Sequence, residues 1–197
     1  MMPKKPNHDA KRHQFGGHWT TQKLDVLAGY LKSYTTALKD KPSPQNPFQK
    51  AYIDAFAGSG YRGARRSKDD PNGPQSLLLP DLAADEPQDL LAGSAKRALQ
   101  TDPPFDRYIF IDKSRVRCEH LEELKNEFQD LADIIDIQQG DANSKIQGFC
   151  REDWSSRRAV LFLDPYGMQV EWESVAAVAK TQAIDLWLLF PLVSCHA

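Results

Sequence analysis

The chain contains four short polar clusters, each following a run of apolar residues, and the most specific is Leu161-Phe162-Leu163-Asp164-Pro165-Tyr166-Gly167. A carboxylate at the end of a buried strand accepts hydrogen bonds from an amino group. The proline behind it, with φ fixed, directs the next carbonyl toward the same donor. A tyrosine ring can then stack on a flat base. Asp164, Pro165 and Tyr166 are therefore the candidate catalytic residues, a set that would hold an aminated ring. The same tetrapeptide also reads as an Asp-Pro turn with a packed tyrosine.

The other three clusters have the polarity a nucleoside needs. After the apolar run Ala51-Tyr52-Ile53 come Asp54, Phe56, Ala57, Gly58, Ser59 and Gly60. Glycines at this place permit a tight turn and let a ligand approach the backbone, although an ordinary strand-to-helix turn uses them too. Asp112 ends Arg107-Tyr108-Ile109-Phe110-Ile111, placed to accept two hydrogen bonds from a ribose diol. Asp141 ends Ile135-Asp136-Ile137-Gln138-Gln139-Gly140, placed to accept one from an adenine amino group. Both aspartates also precede helical segments, where capping is the plainer role. The candidate cofactor-binding residues are thus Asp54, Phe56, Gly58, Gly60, Asp112 and Asp141.

Other chemistries find less support. Cys118, Cys150 and Cys195 are odd in number and widely separated, without disulfide or CxxC metal spacing, and read as reduced thiols. His120 stands among Glu119, Glu122 and Glu123 on a solvated helix face, so no metal site is expected. The basic stretch from Arg62 to Lys68 reads as a solvated loop. With 25 Lys and Arg against 27 Asp and Glu, the net charge of -2 advertises no global attraction to nucleic acid. A nicotinamide-dependent dehydrogenase is disfavoured, because Asp112 lies far beyond the usual spacing of about 20 residues from the glycine turn. The longest apolar run, near 184–193, is about half a membrane span, and the start has no apolar segment behind its lysines. A cytoplasmic protein with no membrane partner is expected.

The elements that must position these clusters follow from hydrophobic periodicity. Residues 1–17, rich in Lys, His, Pro and Gly, are expected to form a flexible leader, and 18–197 a single core. Leu24, Leu27, Leu31 and Tyr34 recur at helical spacing, predicting a helix over about 20–38 capped by Thr20 or Thr21. The run AYIDAF predicts a first strand, followed by a long connection with helical material near Ser76–Leu79 and Gln88–Leu99. RYIFID, IIDIQQGD, AVLFLDP and AIDLWLLFP predict four more strands. Val116, Leu121, Leu124, Phe128 and Leu131 predict an amphipathic helix of about 16 residues between the first two of these. Strands alternating with helices imply a doubly wound, mostly parallel α/β sheet with helices on both faces.

In this order the motifs HWTTQKLDVLAGYL, YIDAFAGSG, the Gly-Pro-Gln-Ser run before Leu77, FIDKS, QGDAN and FLDPYG resemble the Rossmann-fold S-adenosylmethionine-dependent methyltransferases. Within them the chain resembles the three-Cys-motif partner protein family, TcmP, from about His18 to Pro191. The resemblance implies S-adenosylmethionine as cofactor, with Gly58 and Gly60 under its methionine part, Asp112 on the ribose and Asp141 at the adenine. It puts Asp164, Pro165 and Tyr166 at the target amine, and a flap over the cofactor near His18 and Trp19; neither these two nor Lys23 is given a site role. It also implies a partner protein carrying three cysteines.

Two departures from the pattern shape the functional readings. DPYG lacks the second proline usual in amino-methyltransferases of nucleic-acid bases and is nearer the DPFG of tRNA guanine-N2 dimethyltransferases, which keeps a nucleic-acid substrate open. After DLWLLFP only LVSCHA follows, where such a sheet ordinarily continues through a helix and a hairpin, so the core reads as incomplete at its C-terminal end. The leading reading is N-methylation of an amino group on a nucleic-acid base. The alternatives are a non-catalytic partner of a three-Cys-motif protein or an inactive truncated remnant.

Overall fold

A computed structural model of the chain describes residues 17–40, 43–44, 48–58, 93–165 and 167–190, with side chains from residue 22 onward. Five parallel strands form one sheet in the order β3-β2-β1-β4-β5. The strands are β1 (Gln49–Asp54), β2 (Arg107–Asp112), β3 (Ile135–Gln139), β4 (Arg157–Leu163) and β5 (Ile184–Leu188). The helices are α1 (Gly17–Ala37), α2 (Ser94–Leu99), α3 (Arg115–Glu127), α4 (Ala142–Phe149) and α5 (Trp172–Thr181). The chain winds outward from β1 through β2 to β3, then crosses to β4 and continues to β5. The direction reverses between β1 and β4, and at such a switch point open α/β sheets leave a crevice at the carboxyl ends of their strands.

Alternating side chains decide which helix lies on which face. Tyr52, Tyr108, Phe110, Val160 and Phe162 point to one face and bury against Leu24, Leu27 and Leu31 of α1, Ala95 and Ala98 of α2, and Leu121 and Leu124 of α3. Ile53, Ile109, Ile111, Leu161 and Leu163 point to the other and meet Ala142 and Ile146 of α4 and Val178 of α5. Because both faces are covered, the central strands carry continuous apolar runs, as the sequence led us to expect. The doubly wound α/β architecture is therefore the observed one.

Some boundaries differ from the sequence reading. α1 begins at Gly17, so Thr20 and Thr21 lie within the helix and do not cap it. The helix predicted through Leu131 ends at Glu127; Phe128 takes φ -113° and ψ 61°, and Gln129–Ile134 continue as a 3-10 helix. Phe128 and Leu131 still pack against the first core cluster, so the periodicity registered burial correctly while the helix type changed beneath it. Val116, by contrast, is exposed. The helical material expected near Ser76–Leu79 lies outside the described residues.

Candidate functional site

Each strand end is shaped by its own aspartate. Asp54 closes β1 with its carboxylate turned back on the chain, Oδ1 accepting from the Phe56 amide at 3.2 Å and Oδ2 from the Ser94 hydroxyl at 2.6 Å. The next turn carries Gly58 at φ +64°, a left-handed conformation that favours glycine. A Cβ at Gly58 would meet no described atom within 4 Å. The ring of Phe56 packs against the second core cluster.

Asp112, at the end of the neighbouring β2, binds this turn directly. Its Oδ2 accepts from the Gly58 amide at 3.1 Å and its Oδ1 from the Ser114 amide at 2.8 Å, while Arg117 approaches Oδ2 at 3.6 Å. Ser114, not Asp112, is the N-cap residue of α3. Asp141 is the N-cap of α4, with Oδ1 accepting from the Ser144 amide at 3.0 Å and the residue exposed. Asp164 follows β4, one step across the switch point from Asp54. Its Oδ2 accepts from Lys23 Nζ at 2.5 Å, an ion pair spanning 141 residues, and Pro165 behind it is buried.

Asp112, Asp54 and Asp164 therefore stand at the carboxyl ends of three adjacent strands, β2, β1 and β4. Burial sets their electrostatics. Asp54 is fully buried and its carboxyl is pushed up to about 7, chiefly by loss of hydration; the hydrogen bonds from Ser94 and Phe56 pull it down, and the charges of Asp164 and Asp112 add to the rise. Asp112, 6% exposed, is also raised by burial, against the stabilising amide of Ser114 and the Arg117 guanidinium. Burial makes both Asp54 and Asp112 resist ionisation and Asp164 is paired with Lys23, so these strand ends offer a ligand hydrogen-bonding oxygens more than free negative charge. Among the described residues no group of three His, Cys, Asp or Glu side chains is arranged to hold a metal ion.

The structure thus brings Asp54, Gly58, Asp112 and Asp164 around the switch point, with Asp141 at the start of α4, just after the edge strand β3. Gly60 and Tyr166 lie outside the described residues. Sequence reasoning gave Lys23 no site role and missed Ser94. Lys23 borders the buried stripe of α1 and Ser94 opens α2, but their acidic partners lie 141 and 40 residues away, and no local spacing links them. An open depression of about 460 Å³ lined by Trp154, Arg158 and Gln182 lies at the amino ends of β4 and β5, away from these aspartates. No helix of the described residues is long and apolar enough to cross a membrane.

No family model matches the chain, and no curated protein matches its sequence. Among solved structures, the crystal structure of protein LPL1258 from Legionella pneumophila str. Philadelphia 1, described as DUF519, superposes with a TM-score of 0.56 at 16% identity. The match covers 86% of this chain and 67% of that chain. At that identity the likeness concerns the fold, which is of the Rossmann-like α/β class.

Proposed function

We propose that the chain binds S-adenosylmethionine at the carboxyl ends of its strands and methylates an amino group on a nucleic-acid base beside Asp164. The observation that carries this reading is the convergence of Asp54, Asp112 and Asp164 on three neighbouring strand ends around the left-handed turn at Gly58. The sequence resemblance to the TcmP family, which implies Gly58 under the cofactor, Asp112 on the ribose and Asp164 at the target amine, supports it.

The donor set suits the cofactor, which presents a ribose diol, amino groups and a cationic sulfur. When bound it would supply a methyl group activated on that sulfur. Gly58, with no described atom within 4 Å of where a Cβ would stand, would admit close approach to the backbone. Asp112 keeps lone pairs beyond those given to Gly58 and Ser114, and these would receive the diol. Asp141, exposed at the start of α4, would receive the adenine amino group. Asp164 would accept an N–H of the acceptor amine, turning the nitrogen lone pair toward the methyl, with buried Pro165 fixing its direction and Tyr166 stacking on the base. Catalysis here is mainly positioning. Lys23 keeps Asp164 paired until an acceptor amine takes the place of its ammonium.

The test is transfer of label from tritiated S-adenosylmethionine to unmethylated DNA and to transcribed RNA. Label is expected in nucleic acid, and Asp164→Ala is expected to abolish it while affinity for S-adenosylhomocysteine stays within a few-fold. A variant that still methylates would remove Asp164 from the mechanism. A second reading, a non-catalytic partner of a three-Cys-motif protein, is favoured by one observation: the Asp164 carboxylate is already occupied by Lys23 at 2.5 Å. Cofactor binding without transfer, in both the wild type and Lys23→Met, would select that reading.

A further inference from the structure

Asn143 lies in the first turn of α4, two residues after the Asp141 cap, and is only 7% exposed. Its side chain leaves its own helix and addresses the segment that joins β4 to α5. Nδ2 donates to the Gln169 carbonyl at 2.8 Å, while Oδ1 accepts from the Glu171 amide at 3.0 Å and from the Ser174 hydroxyl at 2.9 Å. Gln147, one turn along α4, donates to Ser174 Oγ at 3.2 Å. A carboxamide can donate and accept in one plane, whereas aspartate lacks the donor and alanine lacks both. Two packed helices gain nothing from a buried amide unless its groups are satisfied, and here two of the three bonds go to loop backbone.

The segment so held is the one that begins at Asp164. Its near end is fixed by the Lys23 ion pair and by the Leu189 amide donating to the Leu163 carbonyl at 2.9 Å. Its far end is fixed by Asn143 at Gln169 and Glu171. Between the two anchors lie Gly167, at φ +70°, and Met168, 62% exposed, while Val170, between the two backbone bonds of Asn143, packs against the second core cluster and shares the far anchor with it. We propose that Asn143 is a positioning residue: it sets the course of the Asp164–Glu171 segment from its far end and thereby the placement of Asp164 and Pro165. That this placement serves an acceptor amine rests on the function proposed above; the anchoring itself does not.

The chain has three methionines, two of them at positions 1 and 2, so a sample labelled at methionine methyl groups reports on this loop through Met168. In Asn143→Ala the Met168 signal is expected to move toward its random-coil position and sharpen, and the Glu171 amide to exchange at least about tenfold faster. Asp141→Ala, which removes the α4 cap but not the bonds of Asn143, is expected to leave the Met168 signal in place, separating loop anchoring from weakening of α4. If Asn143→Ala does not fold, Asn143→Asp is read instead, since it keeps an acceptor for Glu171 and Ser174 but sets an acceptor against the Gln169 carbonyl, and the same movement of the Met168 signal is expected. An unmoved Met168 signal with unchanged Glu171 exchange overturns the proposal. In the transfer assay Asn143→Ala is expected to need a higher concentration of nucleic acid for half-maximal rate while S-adenosylhomocysteine affinity stays within a few-fold. Failure of the wild type to bind S-adenosylhomocysteine would defeat the functional reading and leave the Met168 measurement to decide the anchoring.

Discussion

Asp54 combines full burial, two hydrogen bonds and two neighbouring carboxylates, and that combination makes it sensitive to pH in the neutral range. Its ordinary value is 3.8, and the fold raises it to about 7. Between these values the folded chain keeps a proton that the unfolded chain has lost, so this residue's contribution to stability declines as pH rises from about 4 to 7 and is constant above. Asp54→Asn removes the titration at nearly constant shape. Denaturant melts at pH 4 and pH 8 are expected to show the variant gaining on the wild type by up to about 4 kcal/mol at the higher pH; an unchanged difference would mean that Asp54 ionises freely in the fold. At this scale the sequence was informative about which residues end the strands, because a polar residue closing an apolar run is a local signal. It gave no role to Lys23, Ser94 or Asn143, whose partners are distant in the chain and are brought close only by the crossovers. It also left the roles of Asp112 and Asp141 open between ligand and cap. Asp141 does cap its helix, whereas Asp112 ties two loops together and leaves the cap to Ser114.

The helices carry the two halves of the core. α1 contributes Leu24, Leu27 and Leu31, the last two fully buried, to the face that also holds Tyr52 and Phe110, and its amino-terminal half brings Lys23 to Asp164. α4 contributes Ile146 to the opposite face and Asn143 to the β4–α5 segment. Since β1, β2 and β4 supply side chains to both clusters, damage on either face is expected to be felt by the same sheet. Leu27→Ala and Ile146→Ala should each cost about 2–5 kcal/mol, and each should shift a single unfolding transition seen alike by circular dichroism and tryptophan fluorescence. Two separated transitions would show that the faces fold independently. Helical and strand periodicity made these elements legible, because burial imposes the spacing. The start of α1 and the 3-10 continuation after Glu127 were not legible: the first lies ahead of the apolar stripe, and the second preserves the burial that periodicity registers.

At the scale of the whole molecule, the order β3-β2-β1-β4-β5 turns local motifs into one site. The sequence places Asp54, Asp112 and Asp164 in chain order; the reversal of winding between β1 and β4 places them side by side. The sequence implied a doubly wound parallel sheet but no strand order, because right-handed crossovers are compatible with more than one. The functional account stands or falls on whether the strand ends hold a nucleoside cofactor. Calorimetric titration of the chain with S-adenosylhomocysteine, repeated on Asp112→Ala, tests this most directly. The account predicts micromolar binding by the wild type and its loss in the variant. A folded chain that shows no heat of binding, or a variant that binds as well as the wild type, would contradict it.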